Sequence, residues 1–229
     1  VRSHAAGTGP EVEEEVIRAL MLLRLSTLCT GRTGVRPVVV ETYAKALNAG
    51  IVPVVREYGS LGCSGDLAPL AHCALALLGE GEVRVNGELK DASDALAAAG
   101  IEPLQLREKE GLALINGTDG MLGQLCLAIT DLRAAAKTAD IATAMTVEGL
   151  LGTLVVFADD LQQLRPHPGQ ADAAANILQV AEGSQILEAA LEEFKKNQVQ
   201  DAYSVRCAPQ VAGGFRDTLA HTTLSLIHI

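Results

Sequence analysis

The chain has 229 residues, of which 48% are hydrophobic, 3% are aromatic and none is Trp. That length holds one large domain or two small ones, and a core built from Leu, Ala and Val favours helices. The formal charge of −10, from 18 basic and 28 acidic residues with no basic run, excludes a nucleic-acid partner, because that affinity rests on clustered Lys and Arg.

Cys29, Cys63, Cys73, Cys126 and Cys207 are widely spaced and form neither a C-x-x-C pair nor a Cys/His cluster at zinc spacing. Reduced thiols in a cytoplasmic protein without a metal are the expectation. No apolar run is expected to reach the roughly 18 residues of a membrane span, since Arg18 and Arg24 interrupt the first and Asn116 and Asp119 the second. No signal-peptide pattern is visible. The chain starts at Val1 without a Met, so an upstream segment is expected.

In chain order, Gly9-Pro10 opens a helix through "EVEEEVIRALMLLRLSTLCTG", with Pro10 at the first helical position, glutamates at the positive end and Gly31 at the stop. A second helix runs over 38–48 and ends at Gly50. Residues 50–65 are rich in Gly and β-branched types and read as an extended loop. A third helix begins near Asp66 and ends at Gly79, with Pro69 tolerable only in its first turn. "EVRVNGEL" (82–89) reads as a hairpin with Asn86-Gly87 as a type I′ turn. Helices are expected over 91–99, 106–115, 118–136, 139–151, 171–182, 185–196 and 207–222, with "RPHPGQ" (165–170) a rigid loop. No repeat or low-complexity linker appears, so the reading is one mainly α domain with a small β excursion. "LSLIHI" (224–229) resembles a translated sequencing adaptor and is set aside as a non-native tail, against a native apolar strand or helix start, leaving 1–223 as the domain.

The chemistry concentrates in "YGSLGCSGDLAPLAH" (58–72). A serine elbow needs Gly-x-Ser-x-Gly on a strand-to-helix turn, but Asp66 stands where the last glycine belongs. A Cys63 thiolate needs a histidine base, and His72 lies two helical turns away. Metal binding fails on ligand spacing. Backbone chemistry fits better. The Gly65 amide nitrogen attacks the Cys63 carbonyl carbon, which glycine permits because it has no Cβ. Loss of that oxygen as water closes a five-membered ring, and loss of the Ser64 hydroxyl as a second water leaves an electrophilic methylidene. The helix opening at Asp66 would turn its positive end toward the ring. Taken alone, Cys-Ser-Gly is a weak signal and reads as an ordinary Gly-rich turn capped by Asp66.

The flanking residues change that balance. "GSLGCSGDLAPLAH" resembles the signature of the aromatic amino-acid ammonia-lyases, most closely their histidine-specific branch. "SHAAGTG" (3–9), "KEGLALINGT" (109–118), "RPHPGQ" and "VQDAYSVRCAPQ" (199–210) match as well, so the resemblance covers roughly 1–223. It implies a long-helix bundle and a 4-methylidene-imidazol-5-one group formed from residues 63–65, with no external cofactor. It also implies a homotetramer whose active sites draw on several subunits. Cys63 replaces the family's usual alanine. The departure is mild, because only the backbone of residue 63 enters the ring.

The resemblance implies roles residue by residue. Ser64 supplies the methylidene carbon, with Cys63 and Gly65 as the other ring members. Asp66 assists ring closure, caps its helix, or does both. Asn116 bonds near the ring and the substrate amine, beside a plain role as helix terminator. Arg206 clamps the substrate carboxylate through a planar fork, against a surface ion pair. Tyr203, on the same face if the segment is helical, stands beside the ring, against a core aromatic. Gln200 is a weaker candidate for substrate binding. His4 contacts the substrate side chain, and a polar residue there suits imidazole or phenol. His167 is structural, and no family motif supports Tyr58 as a base. The implied reaction is non-oxidative elimination of ammonia from L-histidine, giving urocanate. The family's β-proton base, a tyrosine in a Tyr-Gly-x-Asn-Thr-Gly loop, and its C-terminal half have no counterpart here, so the chain is expected to be an inactive fragment of the enzyme. The alternatives are a tyrosine or phenylalanine ammonia-lyase or an aminomutase using the same group, and a non-catalytic helical oligomerisation module.

Overall fold

A computed structural model describes residues 1–63, 65–194 and 200–228. It is mainly helical and forms two compact units, Val1–Leu127 and Ala128–Ile229.

The first unit opens with a 3-10 turn, Arg2–His4, and strand β1, Thr8–Glu11. Helix α1 spans Glu14–Cys29 and α2 Pro37–Asn48. Strands β2 (Ile51–Pro53) and β3 (Arg56–Tyr58) follow, then α3, Leu67–Leu77. Strands β4 (Glu82–Val85) and β5 (Glu88–Asp91) precede α4, Ala92–Ala98, and α5, Glu110–Ile115. Helix α6, Asp119–Gly149, contains the boundary between the units. The core of this unit gathers Ile17, Leu20, Met21, Tyr43, Leu70, Leu77, Val83 and Leu96 from α1–α4 and β4. Helix α6 enters it at Gly123, where a Cβ would lie 3.0 Å from Val16 O and Leu20 N, so only glycine lets the backbones approach.

Several expectations are corrected here. Gly9 and Pro10 belong to β1 and not to the first helix, because β1 pairs antiparallel with β3 (Thr8 with Tyr58, Glu11 with Arg56) and Gly9, at φ 89°, runs against the Tyr58 ring. The glutamates still mark the helix start, at Glu14. The stretch 50–65 is not all loop. Ile51, Val52 and Pro53 pair with Val85, Arg84 and Val83 in a sheet ordered β2-β4-β5. Strands of three residues are too short to show a period of two in sequence. The hairpin forms as expected, with Asn86 at φ 53° and Gly87 at φ 80°. Helix α5 begins only at Glu110, because Lys109 takes a left-handed conformation, φ 69°. The stretch Glu110–Gly149 is long and apolar enough by composition alone to cross a membrane, contrary to the reading of the sequence. It is interrupted at Asn116 and carries Asp119 in a buried ion pair.

Helices expected over 118–136 and 139–151 are one, α6. Thr138, Thr143 and Thr146 return their hydroxyls to the carbonyls four residues back at 3.0, 2.8 and 2.7 Å, so they decorate the helix without ending it. The second unit then has a 3-10 turn, Val155–Phe157, and helices α7 (Asp159–Gln162), α8 (Pro168–Val180), α9 (Gln185–Phe194), α10 (Tyr203–Arg206) and α11 (Ala208–His228). Ala144, Val147, Phe157, Ala174, Ile177, Leu187 and Val205 form its core. Half of "RPHPGQ" is helical, since Pro168 opens α8 with the geometry its ring favours. Helices α8 and α11 meet at Gly169 and Gly213, where a Cβ would lie 2.7 Å from the other helix. Beside that contact Arg216 pairs with Asp140, which also accepts from Asn176 Nδ2 at 2.7 Å. Residues 224–228 continue α11.

Candidate active site

The reactive loop runs from β3 to α3. Gly62 has φ 61°, a turn that favours glycine. Cys63 is exposed, and Ser64 lies outside the described residues. At Gly65 a Cβ would meet nothing nearer than 3.8 Å, where it would face Asn116 Oδ1. Asp66 is fully buried. Its backbone N–H donates to Gly117 O at 2.7 Å. One carboxylate oxygen accepts from the Ser60 hydroxyl, and the other accepts from Met121 N at 2.8 Å. Asp66 therefore does not cap α3 with its side chain, as the sequence suggested; it caps the first turn of α6 and ties the loop to it. Ser60 Oγ also accepts from Gly62 N at 3.2 Å, which tightens the loop from inside.

The facing wall is the turn 116–118. Asn116 leaves α5 at φ −102°, ψ 100°, so it does terminate the helix, and its side chain is exposed. Gly117 admits no Cβ, because the position would overlap the Arg24 guanidinium. Arg24, 2% exposed, pairs with Asp119 and donates through Nη1 to Ala113 O at 3.3 Å and Asn116 O at 3.2 Å. Arg24, Asp119, Gly117 and Ser60 carry the site and were not singled out for it from the sequence. The signal was present: Arg24 and Asp119 are the charges that interrupt the two apolar runs, and they interrupt them to meet each other.

The third wall comes from the N-terminal segment. His4 closes the 3-10 turn, with Nδ1 3.0 Å from Ser3 Oγ. Gly7 N donates to His72 Nε2 at 3.1 Å. Burial, aided by Arg56, lowers the His72 pKa, which favours the neutral ring that accepts this bond and pins the N-terminal loop. His4, Gly59, Leu61, Cys63, Gly65 and Asn116 line one cleft of about 340 Å³. Tyr58 is 64% exposed. Among the described residues no group of three His, Cys, Asp or Glu could hold a metal ion.

Tyr203, Arg206 and Gln200 belong to the second unit. One turn of helix puts the Arg206 guanidinium 5.6 Å from the Tyr203 ring centroid, so the two share a face. Arg206 Nε donates to Asp201 O at 2.9 Å, and Asp201 Oδ2 accepts from Thr153 N at 2.8 Å. Tyr203 is 73% exposed and not a core aromatic, and contact with the Cys207 thiol raises its phenol pKa. Gln200 is exposed. His167 precedes α8, with Nδ1 3.7 Å from Asp217 Oδ2.

Comparison with known proteins gives a consistent result. The family model described as aromatic amino acid lyase matches residues 1–227. The chain is 62% identical over 225 residues to histidine ammonia-lyase of Streptomyces avermitilis, covering 98% of this chain and 44% of that protein. It is 47% identical to histidine ammonia-lyase of Koribacter versatilis, covering 96% and 42%. Among solved structures, phenylalanine aminomutase of Pantoea agglomerans matches at TM-score 0.91 and 34% identity, covering 98% of this chain and 46% of that one. Tyrosine aminomutase of Streptomyces globisporus matches at 0.88 and 42%, covering 98% and 45%. The chain thus spans less than half the length of the curated relatives it matches, and over that span it belongs to the aromatic amino acid lyase family.

Proposed function

We propose that this chain carries the electrophile-forming part of an enzyme that eliminates ammonia from L-histidine to give urocanate. The observation that carries the reading is the cleft in which His4, Cys63, Gly65 and Asn116 converge; the 62% identity to a histidine ammonia-lyase supports the choice of substrate.

The residues fit a group made from the backbone. Gly65 has open space around it, Cys63 keeps its side chain outside the core, and Asp66 is anchored through its own N–H. Cys63, Ser64 and Gly65 would form and hold a 4-methylidene-imidazol-5-one, and such a group supplies an electron sink for a reaction whose leaving group is poor. The chain's own side chains do the remaining work. Asn116 presents its amide to the cleft beside Gly65, in position to orient a substrate amine. His4, held through Nδ1 by Ser3, offers its ring to an imidazole. Beside its Tyr203 contact, Arg206 has no hydrogen bond from either Nη atom to a described residue and presents a planar fork suited to a carboxylate. The phenol of Tyr203, kept protonated at neutral pH, can donate or accept a hydrogen bond to a substrate. Gln200 is assigned to substrate binding on the same segment, Asp66 to assisting closure, and a homotetramer to the complete enzyme.

Two measurements test the reading in a chain completed to its relatives' length. The 63–65 peptide should be lighter by two waters, and L-histidine should yield urocanate, followed by its ultraviolet absorbance. A normal peptide mass rejects the ring. Turnover of tyrosine in preference to histidine transfers the chain to the aminomutase-like branch, which the 42% identity to a tyrosine aminomutase keeps in view.

A further inference from the structure

Arg24 occupies the middle of α1, in a run otherwise apolar, at 2% exposure. Its two Nη atoms meet three acceptors, Ala113 O, Asn116 O and the Asp119 carboxylate. The guanidinium fills the space where a Cβ on Gly117 would sit. The turn 116–118 is thus moulded on a rigid fork. Two connections lead from that turn to the reactive loop. Asn116 Oδ1 lies 3.8 Å from where a Gly65 Cβ would be, and Gly117 O accepts the Asp66 N–H at 2.7 Å. Gly65 is bracketed by both. A buried ion pair is a poor source of stability, since apolar residues of similar volume often replace one at no cost. Its worth lies in fixing positions.

We infer that Arg24 is a positioning residue for ring closure: by holding the 116–118 turn it holds the Asp66 amide and so aims the Gly65 nitrogen at the Cys63 carbonyl. This rests on the proposed ring. In closure the Gly65 nitrogen bonds to the Cys63 carbonyl carbon. That oxygen leaves as water with the amide hydrogens of Ser64 and Gly65. The second water takes the Ser64 hydroxyl and α-hydrogen. No oxidant or reductant is needed. Arg24 touches none of these atoms and acts through the turn.

The test uses the chain completed to its relatives' length and compares wild type, Arg24→Met/Asp119→Leu and Arg24→Lys. The double variant removes the pair without leaving a buried charge, and is expected to keep the wild-type melting temperature. Arg24→Lys keeps a charge opposite Asp119 but replaces the fork by a single ammonium. Timed mass spectrometry of the 63–65 peptide after synthesis should show closure about a hundredfold slower in the double variant, the scale of a 1 Å misplacement, and slowed less in Arg24→Lys. Hydrogen exchange at the Asp66 amide should accelerate in the same order. Wild-type closure in either folded variant overturns the assignment, and if the double variant does not fold, Arg24→Lys decides. If the wild-type peptide never loses two waters, the ring reading has failed; unchanged Asp66 exchange in the variants then overturns the clamp on its own.

Discussion

Cys63 and Ser64 each differ from alanine by one heavy atom, yet their substitutions should have opposite outcomes. A nucleophilic Cys63 would make Cys63→Ala inactive. If the backbone cyclises, residue 63 contributes only main-chain atoms, and its side chain is exposed. Cys63→Ala in the completed enzyme should keep the two-water mass loss and most of the activity, while Ser64→Ala should lose both. Peptide mass and kinetics on the two purified proteins decide between these. Arg206→Ala removes the only planar fork proposed for the carboxylate. A charged hydrogen bond of that kind is worth about 1.5–3 kcal/mol, or roughly one to two powers of ten in kcat/KM; wild-type efficiency would refute the role. At this scale the family resemblance pointed to the loop and to His4 and Asn116, which stand in matched motifs and line the same cleft as Cys63 and Gly65. It did not reveal Arg24 or Ser60, whose importance rests on contacts 92 and 6 residues away that no local pattern encodes.

The first residue of helix α5 is held by charge. Glu110, 2% exposed, accepts from Arg36 N, Nε and Nη2 at 3.0, 2.8 and 2.9 Å and from Arg107 N at 2.8 Å. Those bonds, led by Arg36, lower its pKa from 4.5 to about 2. A carboxylate depressed in the folded state stabilises fully above its unfolded pKa, and that stabilisation is lost as pH falls through the folded value. The window therefore runs from about pH 4.5 down to about 2, and the shift corresponds to about 3 kcal/mol. Urea midpoints between pH 7 and 3 should fall less steeply for Glu110→Gln than for wild type, from a lower starting stability; parallel curves would reject the linkage. Most helices were legible because apolar runs and the Gly and Pro near their ends mark them, although α6 was divided in two. β1, β2 and β3 were not, since each has three or four residues and exists only by pairing with a distant partner. The expected gap between 136 and 139 does not exist: Thr138, which falls in it, returns its hydroxyl to Ala134 O within α6.

Two predictions belong to the whole molecule. The chain by itself should form no urocanate above a no-enzyme control, because it spans only 44% of the histidine ammonia-lyase it matches at 62% identity; turnover by the isolated chain would refute this. In the completed enzyme, if Tyr203 and Arg206 serve a neighbouring subunit's ring, mixed tetramers of Ser64→Ala and Arg206→Ala chains should recover part of the activity that each parent lacks. No recovery in verified mixed tetramers counts against sharing. The division into two compact units escaped the sequence for a simple reason. The boundary falls inside α6, so no Gly-, Ser- or Pro-rich linker marks it.

The bonds around the Asp66 loop also set a schedule for synthesis. Asp66 reaches forward 55 residues to Met121, and Arg24 reaches 95 to Asp119. A growing polypeptide that has just emerged through residue 66 has neither anchor. At about 5–20 residues per second, the ribosome needs roughly 3 to 11 s more to deliver Met121. During that interval the loop lacks the bond from Asp66 to Met121 that ties it to α6. If the proposed ring forms from residues 63–65, its electrophile thus comes with its own delay, because Met121 and Asp119, which anchor the loop and its facing turn, are made later.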